Sequence, residues 1–333
     1  MELCLYDREH GYYTREIRGI GSTGDFSTAA SLSPQLGRSV AAWINDHAAA
    51  HTQLIELGAG TGELARATQN ALRRNFAFTS WERIRRPRSG LLRYHIIERS
   101  PSLQSRQRKL LGRRARWHER IEEALIHAKG QALIFSNELV DAFPVRVFRN
   151  DLPWSELFLS LERGSIQEQW RPAASLPHST VFSHRWEQGQ VVEVHEAYHH
   201  WLREWLSAWD SGQLLTIDYG GSAREIYHRR LTGSRRAYYH HERLSGVDLY
   251  RLPGRQDLTA DVNFDDLITW GEHLGLRTVN LTTQQNWLAP PAPDDAESLF
   301  LTAPQGAGQA FKVLLQEKAP DSSEPRISGP SRD

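Results

Sequence analysis

The stretch Leu54-Ile55-Glu56-Leu57-Gly58-Ala59-Gly60-Thr61-Gly62-Glu63-Leu64 constrains the fold more than any other part of the chain. A short apolar run reads as a buried strand, a glycine-dense turn follows, and Leu64 to Leu72 has helical periodicity. Strand, tight turn and helix in that order open an α/β domain. Glycine has no Cβ, so the turn can bend sharply and bring its amides against a ligand. The first amides of the following helix point at the same place. The spacing is G-x-G-x-G, with Glu56 two residues ahead of Gly58. A dinucleotide fingerprint, G-x-G-x-x-G, needs glycine at 63, where Glu63 stands, so an NAD-dependent oxidoreductase is disfavoured. An acid beside the turn also opposes a pyrophosphate. It suits a ligand with positive charge and hydroxyls, and S-adenosylmethionine (SAM) has both.

The other ends of the core strands supply candidates for the rest of a site. Leu92 to Ile97 reads as the second strand and ends in Glu98, which in a doubly wound sheet lies beside the glycine turn and can accept from both ribose hydroxyls. Its distance from the glycines exceeds the usual spacing, and an inserted basic loop at 75–92 accounts for the excess. A helix is expected over about 101–111, then a short third strand at Arg116-Trp117-His118, where Trp117 can stack on an adenine or serve the core. Residues 131–137 form a nearly all-apolar, central strand. It runs into Asn137-Glu138-Leu139-Val140-Asp141, which places polar and acidic groups outside a strand's carboxyl end, where open α/β sheets bind ligands. Earlier, the glycine-rich loop at 19–28 carries Gly24, Asp25 and Phe26 and reads either as an ordinary surface turn or as a cover that closes over the ligand. Leu36, Val40, Trp43 and Ile44 mark the next helix, with Ser33 or Thr28 as its cap.

Residues 1–144 are thus expected to hold an N-terminal segment and the cofactor half of a Rossmann-like core. Short alternating stretches over 145–190 read as an inserted strand-rich lobe. Residues 191–317 complete the core, with a helix carrying Trp201, Trp205 and Trp209, a core strand ending in Asp218-Tyr219-Gly220, and a substrate-side insertion at 222–262. Residues 318–333 are Ser-, Pro- and charge-rich and read as a disordered tail. Lys and Arg total 40 and Asp and Glu total 40, so no global basic field points to nucleic acid. No run has the apolar length of a membrane span, and the N-terminus does not read as a signal peptide. The single cysteine, Cys4, supports neither a disulfide framework nor a cysteine zinc site and fits a reducing, cytoplasmic setting. His195-Glu196-Ala197-Tyr198-His199 matches the zincin spacing H-E-x-x-H. However, His195 falls at a strand-to-helix junction and no third ligand follows, so no metal is expected.

Taken together, these motifs resemble the MidA-like SAM-dependent methyltransferases, relatives of the mitochondrial complex I assembly arginine methyltransferase. The resemblance runs through His10-Gly11-Tyr12-Tyr13, Ile20-Gly21, Gly24-Asp25-Phe26 and the turn at 56–62. It continues through Glu98, Asn137-Glu138 with Asp141-Ala142, Asp218-Tyr219-Gly220, Asp257-Leu258-Thr259-Ala260-Asp261 and Phe311-Lys312-Val313. It implies a class I methyltransferase fold with an inserted lobe, SAM as cofactor, and methylation of an arginine on a protein substrate, a complex I subunit in the mitochondrial relatives. In that reading Glu56, Gly58, Gly60, Gly62 and Glu98 hold SAM, Gly24, Asp25 and Phe26 close over its methionine end, and Asn137, Glu138 and Asp141 orient the acceptor. Ala30-Ser31 stand where the family has Pro-Glu. That departure opens a second reading, a catalytically weak SAM-binding assembly factor acting through protein contacts.

Overall fold

The computed structural model describes residues 1–14, 34–48, 53–75, 93–239, 242–289 and 295–320. The first four strands are β1 (Gln53–Leu57), β2 (Arg93–Ile97), β3 (Arg116–His118) and β4 (Gln131–Asn137). A hairpin-rich segment adds β5 (Arg146–Asn150), β6 (Trp154–Glu162), β7 (Ser165–Pro172) and β8 (Val191–Val194). Then follow β9 (Ser211–Gly221), β10 (Arg236–Tyr239), β11 (Glu242–Leu244), β12 (Asp257–Thr259), β13 (Val262–Asn263), β14 (Arg277–Thr283) and β15 (Phe311–Lys318).

The main sheet runs β14-β15-β9-β4-β1-β2-β3, with β13 added alongside the end of β9. From β9 to β3 every pairing is parallel, and β15 enters antiparallel between β9 and β14. The result is a mixed α/β, doubly wound sheet, as the succession of strands and helices predicts. Central parallel strands are covered on both faces, so they read as apolar runs without alternation. In β1 and β4 all but the end residues are buried. Alternation survives in which layer each residue meets. Ile55, Leu57 and Ile134 pack toward the helices Ile121–Ala128, Glu196–Trp205 and Phe264–His273. Leu54, Leu133 and Phe135 pack the opposite way, toward the helices Gln35–His47 and Glu63–Asn75.

Helix boundaries follow from local chemistry. Ser100 caps Pro101–Leu111 by accepting from the amide of Leu103, with proline at the first turn, where its missing N–H costs nothing. Asn263 caps Phe264–His273 by accepting from the amide of Asp265. The cap expected from Ser33 or Thr28 lies outside the described residues, as do Gly24, Asp25, Phe26, Ala30 and Ser31. No helix among the described residues is long and apolar enough to cross a membrane.

The second sheet runs β7-β6-β5-β8 and is antiparallel throughout. Its fourth strand is β8, so this sheet reaches Val194, past the position 190 at which the sequence places the end of the lobe. Phe148, Val192 and Val194 share one apolar cluster with Trp205, Trp209 and Trp270 of the main layer. Asp266 pins the segment before β8 to the core: it accepts from the Ser179 hydroxyl at 2.7 Å and from the Thr180 amide at 2.7 Å. The third sheet, β11-β10-β12, sits above the carboxyl ends of the main strands. The N-terminal segment packs on it through Leu5, in the helix Glu2–Tyr6, and Tyr12, in the turn that follows, which share a cluster with Ala237, Leu249 and Leu258.

Candidate active site

A cavity of about 800 Å³ opens where β1, β2, β4 and β9 end, roofed by the third sheet and the N-terminal helix. Glu56, Gly58 and Gly60, Glu98, Asn137, Glu138 and Asp141 all line it. Gly62 and Trp117 are not among the lining residues.

The glycines set the turn. Gly58, Gly60 and Gly62 have φ of +66°, +52° and +87°, a region that residues with a Cβ seldom enter. A Cβ on Gly58 would also lie 2.8 Å from Leu139 Cδ1. The turn is thereby held against the loop that follows β4. Glu98 is buried beside it. Its Oε1 accepts from the amide of Ser100 at 2.9 Å and its Oε2 from Gln107 Nε2 at 3.1 Å. Burial pushes its carboxyl up to about 6, against the pull of those hydrogen bonds. Glu56 accepts from the Tyr94 hydroxyl at 2.6 Å, and burial raises it to about 7.

Gln107 ties this end together and carries no functional signature in the sequence. Its Nε2 also donates to the carbonyl of Gly60 at 2.7 Å, and its Oε1 accepts from the Trp117 indole at 2.8 Å. It is wholly buried on a helix whose other buried residues are Leu103 and Leu111. A polar residue four positions from each, on the apolar stripe, was the available signal. Trp117 therefore supports Gln107 from behind the cavity wall. Its ring is covered by Arg108, 4.4 Å from the guanidinium carbon, so of the two roles open to it in the sequence the placement agrees with the structural one and not with stacking on an adenine.

The far end is acidic and phenolic. Glu138 takes φ of +50°, unusual for a residue with a side chain, and its amide donates to the Ile217 carbonyl at 2.9 Å. Asp218 builds the loop: its Oδ2 accepts from the amides of Leu139 at 3.2 Å, Val140 at 2.9 Å and Asp141 at 3.4 Å. It does not line the cavity. Asp141 Oδ2 accepts from the hydroxyls of Tyr219 and Thr259. Burial raises its carboxyl, chiefly by desolvation. Asp141 Oδ1 and Asn137 Oδ1 are buried and have no hydrogen-bond partner among the described residues. Asp257, from β12, accepts from the Tyr13 hydroxyl at 2.8 Å and is raised to about 7 by burial. Arg236, from β10, pairs with Asp261 and lies over the Tyr219 ring at 4.5 Å. Tyr13, Tyr219, Asp257 and Arg236 all line the cavity.

The histidines of the zincin-like stretch are elsewhere. His195 is buried at the start of the helix Glu196–Trp205, and burial lowers it to about 4. His199 stacks on Trp270 with ring centroids 4.8 Å apart. Neither lines the cavity.

A cradle of left-handed glycines flanked by two carboxylates fits a ligand with hydroxyls and a cationic centre and repels a diphosphate. The family model described as "Putative S-adenosyl-L-methionine-dependent methyltransferase" matches residues 35–282. The mitochondrial protein arginine methyltransferase NDUFAF7 of Mus musculus is 26% identical over 296 residues, covering 80% of this chain and 64% of its own length. Its homolog in Caenorhabditis elegans is 25% identical over 314 residues, covering 81% and 66%. The chain thus spans about two thirds of the length of these curated relatives. A solved structure from Burkholderia thailandensis, bound to S-adenosyl-homocysteine, is 27% identical with a TM-score of 0.78, covering 95% of this chain and 86% of that one. A native structure from the same organism has a TM-score of 0.74 at 27% identity, covering 95% and 85%.

Proposed function

The chain belongs to the S-adenosyl-L-methionine-dependent methyltransferases, and from that premise we propose that it methylates a nitrogen of an arginine side chain on a protein. SAM is the cofactor and supplies a methyl group activated by a sulfonium. Glu98 is suited to the ribose, since each of its oxygens keeps a lone pair beyond the bond it already accepts. Gly58 and Gly60 let the backbone approach, and Glu56 favours the cationic end. The loop with Gly24, Asp25 and Phe26 would close over the methionine portion.

The carrying observation is a pair of buried oxygens, Asn137 Oδ1 and Asp141 Oδ1, that have no hydrogen-bond partner among the described residues and belong to side chains lining the acidic end. Buried acceptors without donors are costly, and a group rich in N–H donors relieves that cost. A guanidinium offers five donors in a fixed fork and pairs well with carboxylates. Glu138 and Asp141 would hold its charge on one side and leave one nitrogen facing the donor. Positioning of this kind contributes much of the acceleration in an in-line transfer. Asp218 acts through the loop, fixing where Glu138 and Asp141 stand.

The names of the relatives support arginine, and a respiratory complex I subunit is the acceptor class that the resemblance suggests. Tritiated SAM with a cell lysate tests the reading. We expect a labelled protein band whose acid hydrolysate contains methylarginine. Label recovered as another methylated residue would overturn the acceptor. SAM binding without transfer would favour the assembly-factor reading.

A further inference from the structure

We propose that Asp257, positioned by Tyr13, is the base that removes the proton from the methylated nitrogen. The inference rests on the nitrogen-methylation reading above and adds to it a residue with a separate task. A nitrogen that gains a methyl group while carrying its hydrogens ends with one proton too many. The new C–N bond forms as the C–S bond breaks, the sulfur keeping the electron pair. The surplus proton leaves for a carboxylate as the C–N bond forms, and passes from there to solvent.

Four carboxylates of the described residues stand at or behind the acidic end, and their hydrogen bonds divide the work. Asp218 spends one oxygen on three backbone amides and the other on the amide of Tyr219 at 2.9 Å, and it does not line the cavity. Asp141 has one oxygen taken by Tyr219 and Thr259, and its Oδ1, without a hydrogen-bond partner among the described residues, suits the binding of a cation. Glu138 stands on the strained loop beside Asn137, whose Nδ2 donates to it at 3.1 Å. Asp257 comes from a different sheet and approaches from the roof. It accepts from the Tyr13 hydroxyl, 244 residues away in sequence, and both residues line the cavity. A phenol held above its usual range stays protonated and remains a donor, which fixes the carboxylate's direction without consuming its negative charge.

The surroundings tune Asp257 for proton transfer near neutrality. Burial and the charge of Asp141 raise it, while the Tyr13 hydroxyl, the Leu258 amide and the Arg236 guanidinium lower it, leaving it at about 7. Tyr6 from the N-terminal helix also faces it electrostatically, and Tyr238 is its register partner on β10. A base works best when its pKa lies near the working pH.

The test is single-turnover transfer of tritium from SAM to lysate protein, measured from pH 5.5 to 9 for the wild type, Asp257→Asn and Tyr13→Phe. Calorimetric titration with S-adenosyl-homocysteine is run on each. Wild-type transfer should rise with pH through an apparent pKa near 7. Asp257→Asn should bind the product normally, transfer at least about 100-fold more slowly, and lose that pH limb. Tyr13→Phe should move the limb to higher pH, because a bond favouring the carboxylate is gone. Transfer by Asp257→Asn at the wild-type rate with the limb intact would overturn the assignment alone. Absence of transfer by the wild type would overturn the methylation reading and this inference with it. Asp257→Asn that no longer binds the product would show a structural role and also overturn it.

Discussion

Glu98 concentrates the cofactor chemistry in one side chain. It is buried, its two oxygens are each half-used, and its carboxyl is raised to about 6. Hydrogen bonds to a charged acceptor contribute roughly 1.5–3 kcal/mol, so Glu98→Ala should weaken SAM binding by about ten- to a hundredfold by calorimetry, where unchanged affinity would remove the ribose role. Because only the carboxylate accepts at both oxygens, wild-type affinity should also drop as pH falls below about 6, and the Glu98→Ala variant should lack that dependence. Gly58 makes a different demand. Its φ of +66° and the Leu139 methyl 2.8 Å from a would-be Cβ predict that Gly58→Ala destabilises the protein. The left-handed backbone alone costs about 1–2 kcal/mol for such a residue, and a urea melt reads it directly. The glycine pattern made this residue conspicuous in the sequence. Gln107 escaped notice because a glutamine on a helix ordinarily faces water, and only its place on the Leu103–Leu111 stripe hinted otherwise.

At the level of elements, the loop after β4 is built by a strand distant in sequence. Asp218, at the end of β9, collects the amides of residues 139, 140 and 141. The amides of Val140 and Asp141 are buried, and leaving each of these without a partner costs about 1–3 kcal/mol. Asp218→Ala should therefore lower the urea midpoint strongly. Asp218→Asn, which keeps one acceptor oxygen, should lose less stability but still slow methyl transfer, while SAM affinity changes little. A variant in which SAM binding collapses and transfer per bound SAM is preserved would place Asp218 with the cofactor instead. The strands themselves are legible in part: residues 131–137 read as a central strand because an unbroken apolar run marks a buried parallel strand, and the short third strand occurs at 116–118 as expected although Arg-Trp-His is not an apolar run. The lobe's far limit was less so. Val191–Val194 reads as a core strand by composition, yet it pairs with β5, and only hydrogen-bond register reveals which sheet a short apolar strand has joined.

Across the whole molecule, the cavity gathers carboxylates that the fold holds partly protonated at neutral pH. Glu56 and Asp257 rise to about 7 from ordinary values of 4.5 and 3.8. Between those limits the two carboxyls bind more protons in the folded chain than in the unfolded one, so their contribution is greatest on the acid side, falls as pH rises to about 7 and levels off above that. His195, held at about 4 against an ordinary 6.5, works in the opposite direction over the same range. The Glu56 contribution is therefore read as a difference: in urea melts, Glu56→Gln should gain stability relative to the wild type as pH rises from about 4.5 to 7, by on the order of a few kcal/mol, since one pKa unit corresponds to about 1.4 kcal/mol. A difference that stays flat over that range would contradict the buried-carboxylate account. The sequence by itself determined the strand–turn–helix cradle, the order of the core strands and the acids at their ends, because glycine spacing and apolar runs act over a few residues. Only the tertiary structure decided that Tyr13 reaches Asp257, that Asp218 serves a loop rather than a ligand, and that Trp117 stands behind Gln107. Those relations join segments tens to hundreds of residues apart, and a side chain's direction into or away from a cavity is set by the layers packed around it.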